Sequence, residues 1–241
     1  MSQVRRVEVS PERLSGWVER FAASHGEVTW SVASDTGPGQ QESDRSVADR
    51  PARPSAWFGQ AADGSWARLE GWADTDPSAP DPLTAGSDPW WVPPGPLLLL
   101  LVRRGGYAAA VATADGELVR HKVGTRRVQG RTAAGGWSQQ RFARRRANQA
   151  DELVGAVVGH AARILGEGED ALGRSVAALV VGGDPKLVDQ ALTELATGPL
   201  ARLRGIPRRE LRDLADPRRA VLDDAVRRAR AVRVEVSNAR S

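Results

Sequence analysis

Two adjacent glycines and two adjacent glutamines lie close together in residues 135–140, Gly-Gly-Trp-Ser-Gln-Gln. Successive glycines let a backbone adopt left-handed conformations and come close to a ligand. A neutral glutamine offers a hydrogen-bond donor and an acceptor but is too weak a base to remove a proton. These residue types favour a tip that approaches a ligand and hydrogen-bonds to it over a tip that acts as a general base.

This tip lies within a strongly basic segment. Residues 118–150 contain nine Arg or Lys and no Asp or Glu, and the formal net charge of the whole chain is +4, so the remainder sums to −5. A local concentration of positive charge is typical of a protein that contacts nucleic-acid phosphates at one place. A compositional bias towards arginine is the alternative, because Lys122 and Lys186 are the only lysines. Such a bias explains arginine in place of lysine but not the missing carboxylates.

Other catalytic chemistries find little support in the sequence. There is no cysteine, and His25, His121 and His160 are far apart, which disfavours thiolate or histidine metal sites. No nucleophile elbow or phosphate-binding glycine loop is present. A two-metal nuclease needs several converging acids. The acids near predicted strand ends are Asp115, Glu117 and Asp184, and a turn and a helix cap account for the first and last of these.

The N-terminal third predicts a small α+β region with polar insertions. Five of its seven tryptophans, at 57, 66, 72, 90 and 91, are expected to be core residues, with base stacking as the alternative. Residues 34–55 are rich in Pro, Gly and Ser and are expected to form a mobile excursion. The predicted elements are strands at 4–9 and 27–33, a helix at 10–24, and a hairpin of 56–60 and 66–72 around Asp63-Gly64.

The pattern of the rest of the chain predicts a meander of three antiparallel strands. The basic segment is expected to form a loop after the third strand, and alternating helices and strands are expected to follow. The strands are expected at 97–102, 107–113, 117–123, 176–181, 200–205 and 231–236, and the helices at about 153–165, 185–198 and 217–230, with Gly166 ending the first. This order, β-β-β-α-β-α-β-α, predicts an α/β fold with a mixed sheet of ribonuclease-H-like type. We therefore expect an N-terminal α+β extension over 1–95 and a second domain over 96–241.

The basic loop, the element order and the glycine–glutamine tip together resemble the catalytic domain of eukaryotic-type peptide release factors. The resemblance is closer to release-factor-like peptidyl-tRNA hydrolases of the Vms/ANKZF-related type, including their actinobacterial branch. Release factors carry Gly-Gly-Gln, whereas the Vms/ANKZF branch accepts Gly-x-x-Gln, which Gly136-Trp137-Ser138-Gln139 matches. The resemblance covers about 95–236 in layout and is sharp only over 122–148.

The resemblance implies a cytoplasmic enzyme that releases nascent peptides from peptidyl-tRNA on stalled ribosomes or large subunits, without a metal or cofactor and without a membrane. It implies that Gln139, supported by Gly135 and Gly136, positions a water molecule against the ester. Gln140 remains the alternative glutamine. The residues expected to contact ribosomal RNA or tRNA are Lys122, Arg126, Arg127, Arg131, Trp137, Arg141, Arg144, Arg145 and Arg146. The alternative function is a non-catalytic module that binds RNA or the ribosome.

Overall fold

The computed structural model describes residues 4–33, 56–73, 80–84, 89–125, 138–197 and 200–239, with the backbone alone over 138–147. The chain divides into two compact units, the first formed by Met1–Pro94 with Arg230–Ser241 and the second by Gly95–Ala229. The excursion expected at 34–55 lies outside the described residues.

The secondary structure is mixed α/β. In chain order its elements are β1 (Arg5–Val9), α1 (Leu14–His25), β2 (Val28–Ala33), β3 (Ala56–Ala61), β4 (Trp66–Glu70), β5 (Leu97–Arg103), β6 (Gly106–Ala112), β7 (Leu118–Thr125), α2 (Ser138–Leu172), β8 (Ala178–Gly183), α3 (Pro185–Thr197), β9 (Arg208–Leu211), α4 (Arg219–Arg230) and β10 (Val232–Ser237).

The first unit is an antiparallel sheet with the strand order β1-β10-β4-β3-β2, with α1 packed against its apolar side chains. The predicted hairpin is confirmed: β3 pairs with β4, and Gly64 takes a left-handed φ of 88° in the turn. Of the tryptophans, Trp57, Trp72 and Trp90 are buried, as a core role predicts. Trp66 is half-buried and stacks on Phe58, with ring centroids 5.8 Å apart.

The second unit is a five-stranded mixed sheet with the order β7-β6-β5-β8-β9. Strands β5, β6 and β7 form the predicted antiparallel meander, and β8 and β9 add parallel to β5. The register aligns strand ends at one edge, because Thr125 pairs with Gly106, Gly106 with Arg103, and Val102 with Gly183. We call this edge the loop edge, since the basic segment continues from Thr125 at this point.

Helices cover both faces of this second sheet. Buried side chains of α2 and α3, among them Leu153, Val157 and Leu187, share a core with Leu98 and Leu100 of β5. Helix α4 crosses the opposite face from β7 to β9. At one end Arg219 Nη1 lies 2.9 Å from His121 Nε2 in β7, and at the other the buried Arg209 of β9 donates to the Ala229 carbonyl at 2.6 Å. A cation at that carbonyl suits the negative end of the helix dipole.

Helix α2 is much longer than the sequence pattern predicts. The expected loop ends at Ser138, where the helix begins, because residues 138–150 contain no Gly or Pro and several strong helix formers. Gly166 does not end the helix, which continues to Leu172 and stops before Gly173, whose φ of 62° is left-handed. Glycine inside the helix has a packing reason at Gly168, where an added Cβ would lie 2.6 Å from Val111.

The strand predicted at 200–205 is also wrong. Residues Ala201–Gly205 form a 3-10 helix, and the strand β9 follows at Arg208–Leu211. Leu200 and Leu203 are both buried, and a spacing of three residues places both on one side of a 3-10 turn but on opposite sides of a strand. The last strand, β10, is present close to the predicted position, but it pairs with β1 and β4 in the sheet of the first unit.

We predict that Gly168→Ala lowers the free energy of unfolding by about 1–3 kcal/mol, because the new methyl group overlaps Val111. Gly155→Ala is the matched control in the same helix, since nothing lies within 4 Å of a Cβ built at that position. It should raise stability by about 0.5–1 kcal/mol. Urea unfolding of both variants measures the two free energies of unfolding. If both variants change this free energy in the same direction, close packing does not explain Gly168.

Candidate functional site

The predicted site residues fall in β7, in the first turns of α2 and in the stretch between them. Lys122 lies in β7, and the backbone of Gln139 and of the later arginines lies in the first turns of α2. Gly135 and Gly136, together with Arg126, Arg127, Arg131 and Trp137, lie outside the described residues. The structure thus describes the two elements that flank the centre of the basic segment. The predicted contact arginines whose backbone lies in the first turns of α2 are Arg141, Arg144, Arg145 and Arg146.

Strand β7 presents exposed cations near the start of the basic segment. Arg120 and Lys122 are both exposed and pair with Val111 and Ala109, so they share the face that carries α2. Among the described residues Lys122 forms no ion pair, and the Arg120 guanidinium donates to the neighbouring Val119 carbonyl at 2.8 Å. Both charges are therefore available to an external anion. Arg120 was not among the predicted contacts, although its position two residues before Lys122 in a strand could have indicated it.

The end of β7 is held to α2 through an aromatic contact. Tyr107 pairs with Gly124, and a Cβ on Gly124 would lie only 2.4 Å from the tyrosine ring, so only glycine lets the ring pack over the strand. The same ring is buried and stacks on His160 of α2, with ring centroids 5.3 Å apart and an angle of 13° between the planes. This contact ties the strand at the start of the segment to the helix at its end.

Helix α2 is anchored by its later turns. Ala150 packs against the core of the second unit, and Asp151 accepts a hydrogen bond from Gln190 of α3 at 2.7 Å. The turns before Ala150 amount to about 18 Å of helix at 1.5 Å per residue. The carbonyl oxygen of the Gln149 side chain is buried without a hydrogen-bond partner among the described residues. Among the described side chains of α2, those from about Ala150 onwards are supported by the fold.

The first turns of α2 combine like charges with the positive end of the helix dipole. The first turn contains no acidic residue, and four arginines follow by position 146. A cation in the first turn of a helix is unfavourable by about 0.3–1 kcal/mol at low ionic strength, and this cost falls on Arg141. Acidic residues, by contrast, occur near the end of the helix, at Glu167, Glu169 and Asp170. Glu167 pairs with Arg163, and Glu169 accepts from the Val176 amide and pairs with Arg202, so these contacts explain the acids at the end of the helix. The absence of acids from the first turn has no such explanation in the stability of the helix.

The acids considered for a metal site lie apart. Asp184 is at the loop edge, where its carboxylate accepts from the Lys186 amide at 3.1 Å and caps α3. Asp115 and Glu117 belong to the turn between β6 and β7 at the opposite edge. In the ranges that the structure describes, no group of three or more His, Asp or Glu is placed to bind a metal ion.

A serine, a histidine and an aspartate do meet in the first unit, but their geometry is structural. His25 Nδ1 lies 2.9 Å from Asp63 Oδ2 and 3.1 Å from Ser65 Oγ, so both partners contact the same ring nitrogen. A catalytic triad needs the two ring nitrogens to face different partners. Ser65 is fully buried and accepts from the Ala239 amide at 2.8 Å. Hydrogen bonds from the Ser65 amide and from His25 lower the pKa of Asp63, as expected of a turn cap.

The family model for the Actinobacteria/chloroflexi VLRF1 release factor matches residues 95–235. The chain belongs to this family. The match covers the second unit, including β7, the basic segment and α2, and extends into β10. No curated protein matches the chain.

Membership of this release-factor family indicates a role in ribosome-associated peptide release. It confirms the resemblance found in the sequence to the actinobacterial Vms-related branch. The N-terminal unit up to residue 94 lies outside the match. No helix within the described residues has the length and apolar character needed to cross a membrane.

We predict that Arg141→Glu stabilises the first turns of α2 while weakening RNA binding. A carboxylate in place of a guanidinium removes an unfavourable charge from the positive end of the helix and should stabilise it by about 0.3–1 kcal/mol. Amide hydrogen exchange over residues 138–150 measures the first effect, and binding to large ribosomal subunits measures the second.

The control for this variant is Asp170→Gln, which removes an unfavourable charge from the other end of α2. Asp170 is exposed and lies two residues before the helix ends. It should stabilise the helix without weakening RNA binding. A loss of helix protection in Arg141→Glu would contradict the dipole argument, and unchanged binding would show that Arg141 does not contact RNA.

Proposed function

We propose that the protein is a peptidyl-tRNA hydrolase that releases nascent peptides from stalled ribosomes or free large subunits. The observation that carries the proposal is the sequence Gly136-Trp137-Ser138-Gln139, which lies within the region matched by the release-factor family and ends in the first turn of α2. The substrate is the ester that joins the peptide to the 3′ end of tRNA. The ribosome as target implies a cytoplasmic protein.

Gln139 is the proposed catalytic residue, and its task is modest because an aminoacyl ester is already activated. Its side chain orients a water molecule towards the carbonyl carbon, and its backbone N–H stabilises the oxyanion that develops as the water adds. The ester C–O bond then breaks, the tRNA 3′ oxygen takes up a proton, and the free peptide carboxylate leaves. Gly135 and Gly136 allow the backbone before the helix to approach RNA closely. The reaction requires no metal or organic cofactor on the protein.

Phosphates of ribosomal RNA and tRNA are the proposed partners of the arginines on either side of this tip. Positions 141, 144 and 145 are three and four residues apart, and such positions are neighbours on a helix surface. Together with Lys122 on β7 and Arg126, Arg127 and Arg131 in the segment, they supply the charge that brings the tip into an RNA cavity. Trp137 is proposed to stack on a base at the same place.

The topology of the second unit supports the proposal. A meander of three antiparallel strands, extended by two parallel strands, has the order β7-β6-β5-β8-β9 with helices between the later strands. We propose that this is the ribonuclease-H-like arrangement of release-factor catalytic domains, with the basic segment inserted after the third strand.

We predict that Gln139→Ala lowers the single-turnover rate of peptide release by at least about 100-fold, because one positioned group of this kind contributes that much. Binding to the ribosome should be unchanged, since no charge is lost. Gln140→Ala is the matched control and should retain most of the activity. The measurement is a gel that separates free from tRNA-linked peptide after incubation with stalled complexes. Full activity of Gln139→Ala with loss in Gln140→Ala would assign the role to Gln140.

The alternative is a non-catalytic module that binds RNA through the same cations. The lack of carboxylates in the segment supports both functions equally. Under this alternative neither glutamine variant changes binding to the ribosome, and only charge reversals such as Arg145→Glu weaken it. Wild-type protein that binds stalled complexes but releases no peptide would favour the alternative.

Binding to large subunits should weaken steeply with salt under either function. Each phosphate contact contributes about 0.7–0.9 to the slope of log affinity against log salt concentration. We predict that Arg145→Gln reduces this slope by about one contact, as measured by sedimentation binding over a range of salt concentrations. A slope that is unchanged in this variant would show that Arg145 contacts no phosphate.

A further inference from the structure

The loop edge of the second sheet carries exposed cations that belong to neither β7 nor the basic segment. Arg104 lies in the turn between β5 and β6, Lys186 in the first turn of α3, and Arg218 directly before α4. All three are exposed. They come from three separate parts of the chain, and the topology brings them to one edge.

The register of the sheet fixes this placement. Arg103 pairs with Gly106, which pairs with Thr125, so the turn that contains Arg104 lies beside the end of β7. Gly183 pairs with Val102 and leads into α3, which places Lys186 at the same edge. Arg218 follows Pro217, whose carbonyl lies 3.6 Å from a Cβ built on Gly106. With strands about 4.8 Å apart, the edge from β7 to β8 spans roughly 14 Å.

The charges at this edge are not neutralised by the acids beside them. Asp216 already pairs with Arg103, at 3.3 Å. Asp184 is the only described acid within ion-pair distance of Arg104, at 3.6 Å, and the arginine side chain is 62% exposed, so this pair contributes little. Neither Lys186 nor Arg218 forms an ion pair with a described residue.

We propose that Arg104, Lys186 and Arg218 form a second phosphate-binding surface, which contacts ribosomal RNA beside the point where the chain leaves β7. The inference rests on the proposed function, because it takes the segment's target to be the large subunit. An RNA that surrounds the segment must also pass the edge at which the segment leaves β7, and phosphate is the ligand that spaced, exposed cations recognise. By this contact the surface fixes the second unit on the ribosomal RNA while the segment reaches the ester.

The opposite edge of the same sheet provides a matched control. Arg174 precedes β8, and Arg204 lies in the 3-10 helix before β9, so both are at the edge away from the segment. Like Lys186 and Arg218, both are exposed and form no ion pair within the described part of the chain. The double variants Lys186→Gln/Arg218→Gln and Arg174→Gln/Arg204→Gln therefore lose equal charge at opposite edges.

The test measures binding of the full chain to purified large ribosomal subunits, with and without bound peptidyl-tRNA, over a range of salt concentrations. The loop-edge double variant should weaken binding by about tenfold or more at roughly 0.1 M salt and reduce the salt slope by about 1.4–1.8, since each lost phosphate contact removes about 0.7–0.9. The opposite-edge variant should remain within about twofold of wild type. An effect seen only when tRNA is bound would assign the contact to tRNA instead of ribosomal RNA and would overturn the proposal as stated.

Peptide release by the same proteins separates the two proposals. If wild type binds and releases peptide but the two double variants behave alike, the second surface is wrong and the proposed function stands. If wild type neither binds large subunits nor releases peptide, both fail. Thermal unfolding of each variant should match wild type, because the caps of α3 and α4 are made by Asp184 and by the Arg218 backbone carbonyl and persist in the variants.

Discussion

Unneutralised positive charge is the constraint on which the structure depends. Nine cations without a carboxylate over residues 118–150 repel one another, and the dipole of α2 adds to the cost at its first turns. Arg120 and Lys122, at the start of the segment, have no acidic partner among the described residues. A segment of this kind is unfavourable in a free protein and gains free energy when phosphates replace its counterions. The charge of the segment therefore supports the proposed binding to RNA phosphates.

The second unit provides a rigid base on both sides of this charge. Before the centre of the segment, Tyr107 packs on Gly124 and against His160, which joins strand and helix. After it, α2 packs on the core from about Ala150 onwards and is hydrogen-bonded to α3 through Asp151. The strand before the centre of the segment and the helix after it are thus both tied to the core of the second unit. The same sheet register brings further cations to the edge where β7 ends.

Much of the second unit could be predicted from the sequence, because local patterns and tertiary packing agree there. The apolar run of β5 and the turn residues after β5 and β6 give the meander with its boundaries close to those observed. In the first unit, the hairpin around Asp63-Gly64 and the buried Trp57 follow from equally local signals. The family was also predictable, because the features that carried the resemblance, Gly136-Trp137-Ser138-Gln139 and the basic segment, are contiguous in the sequence.

The errors arise where packing overrides a local rule. Gly166 resembles a helix stop, but the helix continues because Gly168 allows it to pack closely on Val111, and Gly173 provides the actual end. The basic residues after Ser138 suggest a loop by their charge, although arginine, alanine and glutamine are good helix formers. That β10 joins the first sheet depends on pairing with strands far away in the sequence, which no local pattern can indicate. The exposed cations at the loop edge likewise become neighbours only after the strands are aligned.

The most informative measurement is a cryo-electron microscopy map of the Gln139→Ala protein bound to a large subunit that carries intact peptidyl-tRNA. We predict that residue 139 lies close to the ester carbonyl, with room for a single water molecule between them. The arginines in the first turns of α2 and the cations of the loop edge should face RNA phosphates. A map in which the segment lies away from the peptidyl-transferase centre, with α2 in contact with protein or solvent, would contradict the proposed function.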